Sequence, residues 1–433
     1  MRRVNFWLSL TMLAGLLIFL PGLAEAQTKK VTILNDSGYT DKQIYLIVDG
    51  IFPSDGLYHR LDWQTNTYLA VKTADNTVPV PGQTDLYCNY YTTLDQIKQA
   101  DGTYSFTFPP MNGGRLWISL GKPVYLHIND PPPPPAPLSP PGVREPSTDN
   151  PSDPNYQTVF DKFEFTDDDA GLHANTTTVD FFCLPLRFEM KNGATSIGKR
   201  GISGSRGSVI QALRARALLK SLEIPSRFYS PNNNNAAVSF PADYFDSYIN
   251  YCWDYYKTHT LTITGVVDTQ SFTASGKVKK INNVDTLVLE DKGNSETHSI
   301  AKPSSYQVFA CAGVGVFNPV GTPKTPPCNR DGFVKDEVGS ALNRTVMHLD
   351  FSLWGDSNRY YQLNGLPPDV YKTNIYSQIL HQVSIDQKAY GYPWDDKYSQ
   401  ESYLSAVTAT DLILTINNCK SNLAPVNYLL TDN

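Results

Sequence analysis

In the segment DKFEFT, Phe163 and Phe165 alternate with Glu164 and Thr166; in ANTTTVDFF, Thr176, Thr178 and Asp180 alternate with Val179 and Phe181. A period of two marks half-buried strands, so the pattern predicts two short strands joined by an acidic loop. On this parity Glu164 and Asp180 can share one face of the sheet. Similar short runs fill the chain from Lys30 to about Ile128: VTILN, QIYLIV, YLAVK, YSFTF, RLWISL and VYLHI, divided by Gly, Asp, Asn and Pro. Regular short strands predict a sandwich or barrel.

Beyond Met190 the period changes towards that of helices. Ser208 to Leu222 places Val209, Leu213 and Ala217 on one stripe, and Ala242 to Lys257 does the same with Tyr244, Tyr248 and Cys252. Val334, Val338 and Leu342 predict a helix from Gly332 to Met347; Tyr371, Ile375 and Ile379 predict another from Asp369 to Leu380. Such stripes are core faces. Strands are expected at LTITGVV, TLVLE and DLILTIN. The division that results is a leader at 1–26, a β-unit at 27–200, a mixed α/β unit at 201–348 and a return segment at 349–433. The proline-rich stretch from Pro131 to Gly142 is read as a stiff loop within the β-unit.

Arg2 and Arg3, the apolar run Phe6 to Leu20 and the small-residue site Ala24-Glu25-Ala26 have the layout of an export signal. The expectation is a secreted monomer, in the periplasm or outside the cell, with no membrane span after cleavage. A net charge of −6 argues against nucleic acid, whose binding leans on clustered cations. Tyrosine is abundant at 26 residues, which suits sheet packing with a few rings left for ligand stacking. The six cysteines are scattered, with no C-x-x-C and no His at metal-ligand spacing, so no metal and no cofactor are expected. Cys311 and Cys328 flank a Pro/Gly-rich loop and are the expected bridge; Cys183 reads equally as a buried free thiol. Asn175 and Asn343 each begin a glycosylation-type tripeptide.

No phosphate-binding glycine loop and no G-x-S-x-G elbow occurs. What remains is the carboxylate pair, the equipment of glycoside hydrolysis. Here the chain resembles glycoside hydrolase family 64, the laminaripentaose-producing β-1,3-glucanases. SDPNYQTVFDKFEFT resembles the lead-in to that family's catalytic strand. GRLWISLGKPVYL, FPADYFDSYINYCW, VFACAGVGVF, SALNRT and IDQKAYGYPWDD follow the family's signatures over about residues 30–418.

The resemblance implies a mainly β fold: a thaumatin-like β-barrel and a mixed α/β unit, forming a crescent with an open groove. It implies endo-type hydrolysis of β-1,3-glucan with inversion, releasing short laminarioligosaccharides. In the family's pattern a Glu general acid precedes an Asp general base by sixteen residues, the spacing of Glu164 and Asp180. An inverting site needs carboxyls about 6.5–9.5 Å apart, so an offset pairing or splayed side chains are expected. Thr166 and Thr177 match sugar-binding threonines, although parity turns Thr177 away from Asp180. Asp168 and His173 stand where the family has Asn and Trp, which removes a stacking plane. Asp153, Asp395 and Asp396 match acidic groove positions, against a competing reading as turn or solvated residues, and Trp394 is a candidate stacking platform. Arg115 is read as a surface strand residue rather than an organiser of the acidic cleft. The departures at Asp168 and His173 leave a second reading, a thaumatin-like glucan-binding protein without turnover.

Overall fold

The computed structural model describes residues 28–130, 141–233, 236–313 and 329–420. The expected leader, most of the proline-rich stretch and Cys328 lie outside the described residues.

The fold is mainly β, and the alternation at Phe163 and Phe165 shows why. Both rings are buried between two sheets, packed with Leu46, Val48, Leu116 and Ile118 of their own sheet. From the opposite sheet Val31, Ile33, Phe106, Phe188, Leu412 and Leu414 enter the same core. Each such side chain contributes roughly 1.5–3 kcal/mol on burial. Because side chains alternate across a strand, fixing these apolar positions inward turns Lys162, Glu164 and Thr166 outward.

One sheet runs in the order Thr195–Gly201, Leu186–Asn192, Asp411–Ile416, Lys29–Asn35, Tyr104–Phe108. Its pairings are antiparallel except that of Lys29–Asn35 with Asp411–Ile416, which is parallel. The other runs Tyr403–Ala406, Gly171–Thr176, Val159–Asp168, Met111–Leu120, Ile44–Ile51, Tyr58–Asp62, Thr67–Ala70, with Thr92–Thr93 also paired to Ile44–Ile51. Segments from both ends of the described chain thus meet in the β-unit.

The intervening chain forms an antiparallel meander of Leu261–Val267, Gln270–Ile281, Val284–Asp291 and Glu296–Ala301. The helices Asp246–Thr258 and Asn329–Asn343 share its core through Trp253, Tyr256, Val338 and Leu342, with Leu287, Leu289 and Ile300 from the strands. A third core joins the helices Arg206–Arg214 and Ile375–Val383 around Phe228 and Tyr376. Cys88, Cys183, Cys252, Cys311 and Cys419 are free and buried. The expected Cys311–Cys328 bridge falls on a residue that is not described. Asn343 is fully buried, its amide donating to Val308 O and Gly339 O, so this tripeptide is closed to glycosylation in the folded chain. Asn175 lies on a strand paired on both sides, with its Oδ1 buried.

Candidate active site

Glu164 stands in the middle of its sheet, opposite Arg115 on one neighbouring strand and Asn175 on the other. The same row continues to Asp49 and Arg60 on one side and to Tyr403 on the other. One line across six strands therefore reads Arg60, Asp49, Arg115, Glu164, Asn175, Tyr403. Cross-strand neighbours of opposite charge support one another. Next to this row the strands bend: the register shifts between Phe165 and Asp167. A Cβ on Gly114 would lie 2.5 Å from the Phe165 ring, so the ring needs glycine beneath it. Gly113 N donates to Thr166 Oγ1 at 3.1 Å, which fixes Thr166 on the Glu164 face.

Lys162 and Glu145 complete the charge pattern. Lys162 Nζ lies 3.2 Å from Glu164 Oε1 and 3.5 Å from Glu145 Oε2, and Arg115 Nη2 lies 2.9 Å from Glu145 Oε1. Arg115 is thus tied to Glu145 beside Glu164 rather than standing alone on the strand surface. Behind it Asp49 is fully buried; Trp117 Nε1 donates to its Oδ2 at 2.7 Å while its Oδ1 has no partner among the described residues. Burial pushes the Asp49 carboxyl up to about 7, against the lowering pull of Trp117 and Arg115. Glu145, Lys162 and Tyr403 lie outside the expected set. The sequence signal for Lys162 is its two-residue spacing from Glu164.

Asp180 is placed by a different route from the one its parity predicts. The strand ends at Thr176, whose position opposite Phe163 puts it on the core face. Thr178 then leaves the sheet: its N and Oγ1 both donate to Tyr390 O, at 3.0 and 2.8 Å, and its own carbonyl accepts from Tyr376. Asp180 follows in a bend anchored by Ser230 N, 3.0 Å from the Asp180 carbonyl. The residue is exposed at the surface, yet protein atoms crowd around its carboxyl. That burial raises the carboxyl above its ordinary value; Lys162 opposes the rise, and Glu145, Glu164 and Asp149 add to it. The charge of Glu164 therefore acts on the Asp180 carboxyl, but from strand to loop rather than between ladder neighbours.

Thr166 faces His173 across the hairpin, and Asp168 faces Gly171. Gly171 has φ of +114, and a Cβ there would meet the Val407 backbone at 2.6 Å. His173 Nδ1 lies 2.5 Å from Tyr403 Oη and its Nε2 3.4 Å from Asp168 Oδ1. Gly113, Arg115, Glu164, Thr166, His173, Asn175 and Tyr403 line an open cavity of about 310 Å³.

Residues 27–416 match the family model described as β-1,3-glucanase, glycoside hydrolase family 64. The chain belongs to that family. Among solved structures similar to this family 64 chain is a β-1,3-glucanase domain from Clostridium beijerinckii, 27% identical with a TM-score of 0.74, over 90% of this chain and 98% of that one. A laminaripentaose-producing β-1,3-glucanase in complex with laminaritetraose shares the fold at 23% identity and a TM-score of 0.71, over 90% and 99% of the two chains. The glucan endo-1,3-β-glucosidase of Arthrobacter sp. (strain YCWD3) is 22% identical over 300 residues, 68% of this chain. The chain spans about half the length, 50%, of that curated relative.

The remaining expected residues of the family 64 pattern separate by environment. Asp395 is fully buried and lines no groove, which corrects its reading as a groove residue. It receives Arg344 Nη2 at 3.1 Å, His381 Nε2 at 3.0 Å, Ser377 Oγ at 3.0 Å and Gly391 N at 2.9 Å. Burial opposes its charge, but His381, Arg344 and the Gly391 N–H together hold its carboxyl below the usual value. Asp153 is committed to its own loop, accepting from Ser147 N at 2.9 Å and Asn155 N at 2.8 Å. Trp394 packs its benzene edge where a Gly339 side chain would be, at the rim of the α/β core rather than as a free platform. Asp396 is exposed at the surface, yet protein crowded around its carboxyl disfavours the charge and, against the pull of Lys397, raises it above the usual value. Thr177 is half-buried just past the strand end, where its Oγ1 accepts from Val179 N at 3.5 Å.

Proposed function

We propose that this chain is an endo-type hydrolase of β-1,3-glucan that works with inversion and releases short laminarioligosaccharides. The observation that carries the reading is the pairing of Glu164 with Lys162 on the open polar face of a family 64 fold, with Asp180 close enough for both charges to act on its carboxyl. Glu164 gives its proton to the glycosidic oxygen as the bond to the anomeric carbon breaks. Asp180 takes a proton from the water that attacks the opposite side. A carboxylate raised above its ordinary value is the stronger base, so the burial at Asp180 serves this role. When Glu164 has lost its proton, Lys162 at 3.2 Å is the counter-ion for the carboxylate that forms. Thr166, Asn175, His173 and Tyr403 offer hydroxyl, amide and ring partners to the sugars in the adjoining cavity. The same reading extends to export through a leader at 1–26, a monomeric state, and a thaumatin-like barrel and α/β unit arranged as a crescent.

Glu164→Gln is expected to fold normally and to lose about 10²–10⁴-fold in reducing-end release from laminarin or curdlan. Full activity in that variant removes Glu164 from the mechanism. Proton NMR of the first product should show the α-anomer, and an early β-anomer contradicts inversion. Retention on curdlan without any reducing-end release would establish the glucan-binding reading instead.

A further inference from the structure

A second group of chemistry-bearing side chains lies in the α/β unit. Asp291 closes one strand of the meander, Glu296 opens the next, and the two are ladder partners across the turn. His298, two residues on, projects from the same face as Glu296. The ligand atoms of Asp291, Glu296 and His298 all lie within 4.8 Å of one another. His298 is only 2% exposed, and its Nε2 has no hydrogen-bond partner among the described residues. Its Nδ1 lies 2.6 Å from Asp331 Oδ1, in the first turn of the Asn329–Asn343 helix.

We propose that Asp291, Glu296 and His298 bind a divalent transition-metal cation of the zinc type, with Asp331 as the positioning residue for the imidazole. The Asp331 carboxylate accepts the Nδ1 proton, which leaves a lone pair on Nε2. That lone pair faces Glu296 Oε2 at 3.9 Å, too far for a hydrogen bond. Two electron-rich atoms this close, one of them fully buried, are stabilised by a cation between them. A carboxylate holding the far nitrogen of a ligating histidine is also the usual support for such a site. The Asp291 carboxylate is oriented by Gly293 N at 3.1 Å and Asn294 Nδ2 at 2.7 Å, and Arg330 Nη1 lies 3.3 Å from the other Glu296 oxygen. To reach metal distances of about 2.0–2.2 Å, each ligand atom moves inward by less than about 1 Å. One nitrogen and two carboxylates favour zinc over calcium or magnesium. Glu296, with 19% of its side chain exposed, provides the opening to solvent. The bound ion would tie the 291–296 turn to the helix through Asp331. This site is separate from the glucan reading and does not depend on it.

The test is calorimetric titration of the full chain with Zn²⁺ after dialysis against a chelator. One site per chain is expected, with affinity falling at least tenfold in His298→Ala and in Glu296→Gln, and about 10–100-fold in Asp331→Asn. Co²⁺ in the same site should give visible absorption bands that His298→Ala abolishes. If His298→Ala fails to fold, the partly exposed Glu296→Gln decides alone. Absence of stoichiometric binding, or binding unchanged in the variants that fold, overturns the proposal.

Discussion

Lys162 stands beside Glu164 and Glu145 and, through its field, holds down the carboxyl of Asp180. Replacing it by methionine removes the main influence that lowers Asp180. The acid limb of the pH profile of kcat/KM for laminarin should therefore move to higher pH, with kcat falling on the order of 10²-fold. Asp49 offers a second test, on stability. Its folded carboxyl is raised to about 7, above the ordinary 3.8 of the unfolded chain, so its contribution to stability is present in acid and is lost as pH rises towards 7. Asp49→Asn should therefore stabilise the protein more at pH 8 than at pH 4, by roughly 1–4 kcal/mol, as read from urea midpoints. At this scale Glu164 was legible in the sequence, because two buried phenylalanines dictate where it points. Asp180 was not, because parity holds only while the strand lasts, and the strand stops at Thr176. Nor does YPWDD distinguish Asp395, enclosed by Arg344 and His381, from its exposed neighbour Asp396. That difference comes from residues distant in the chain.

Among the elements, strong alternation gave true strands, and weak alternation hid one. Gln270–Ile281 is a twelve-residue strand whose sequence, QSFTASGKVKKI, shows only Phe272, Ala274 and Val278 on its buried side. Helix ends moved for reasons of capping. The helix expected from Asp369 begins at Ile375, where Asn374 accepts from Ser377 N, after Pro367 and Pro368 have held the chain in turns. The Ser208–Leu222 stripe breaks after Arg214, and Ala217 is exposed. Asn374→Ala should cost about 0.5–2 kcal/mol of thermal stability through the lost cap. Gly114→Ala drives a methyl into the Phe165 ring and should cost roughly 1–3 kcal/mol. Because that ring anchors the bend that carries Thr166, laminarin KM should rise in Gly114→Ala even at temperatures where the fold is intact.

In the whole molecule, Asp411–Ile416 is the middle strand of its sheet, flanked by Leu186–Asn192 and Lys29–Asn35. A chain ending before Asp411 loses the contacts on both sides and leaves Leu412, Leu414 and Ile416 absent from the main core. Such a truncation should abolish cooperative unfolding of the β-unit, measured by hydrogen exchange of Val31 and Phe188. The return of the chain was partly visible in DLILTIN, whose apolar run suits a central strand. Its parallel partner was not, since no local signal says which distant strand it will meet.

The order of synthesis follows from that parallel pairing. Every other strand of the sheet leaves the ribosome before the one that joins its halves, so the sheet stays open until Asp411–Ile416 is made. Until then Lys29–Asn35 and Leu186–Asn192 each present an unpaired backbone edge, a template for pairing with another chain.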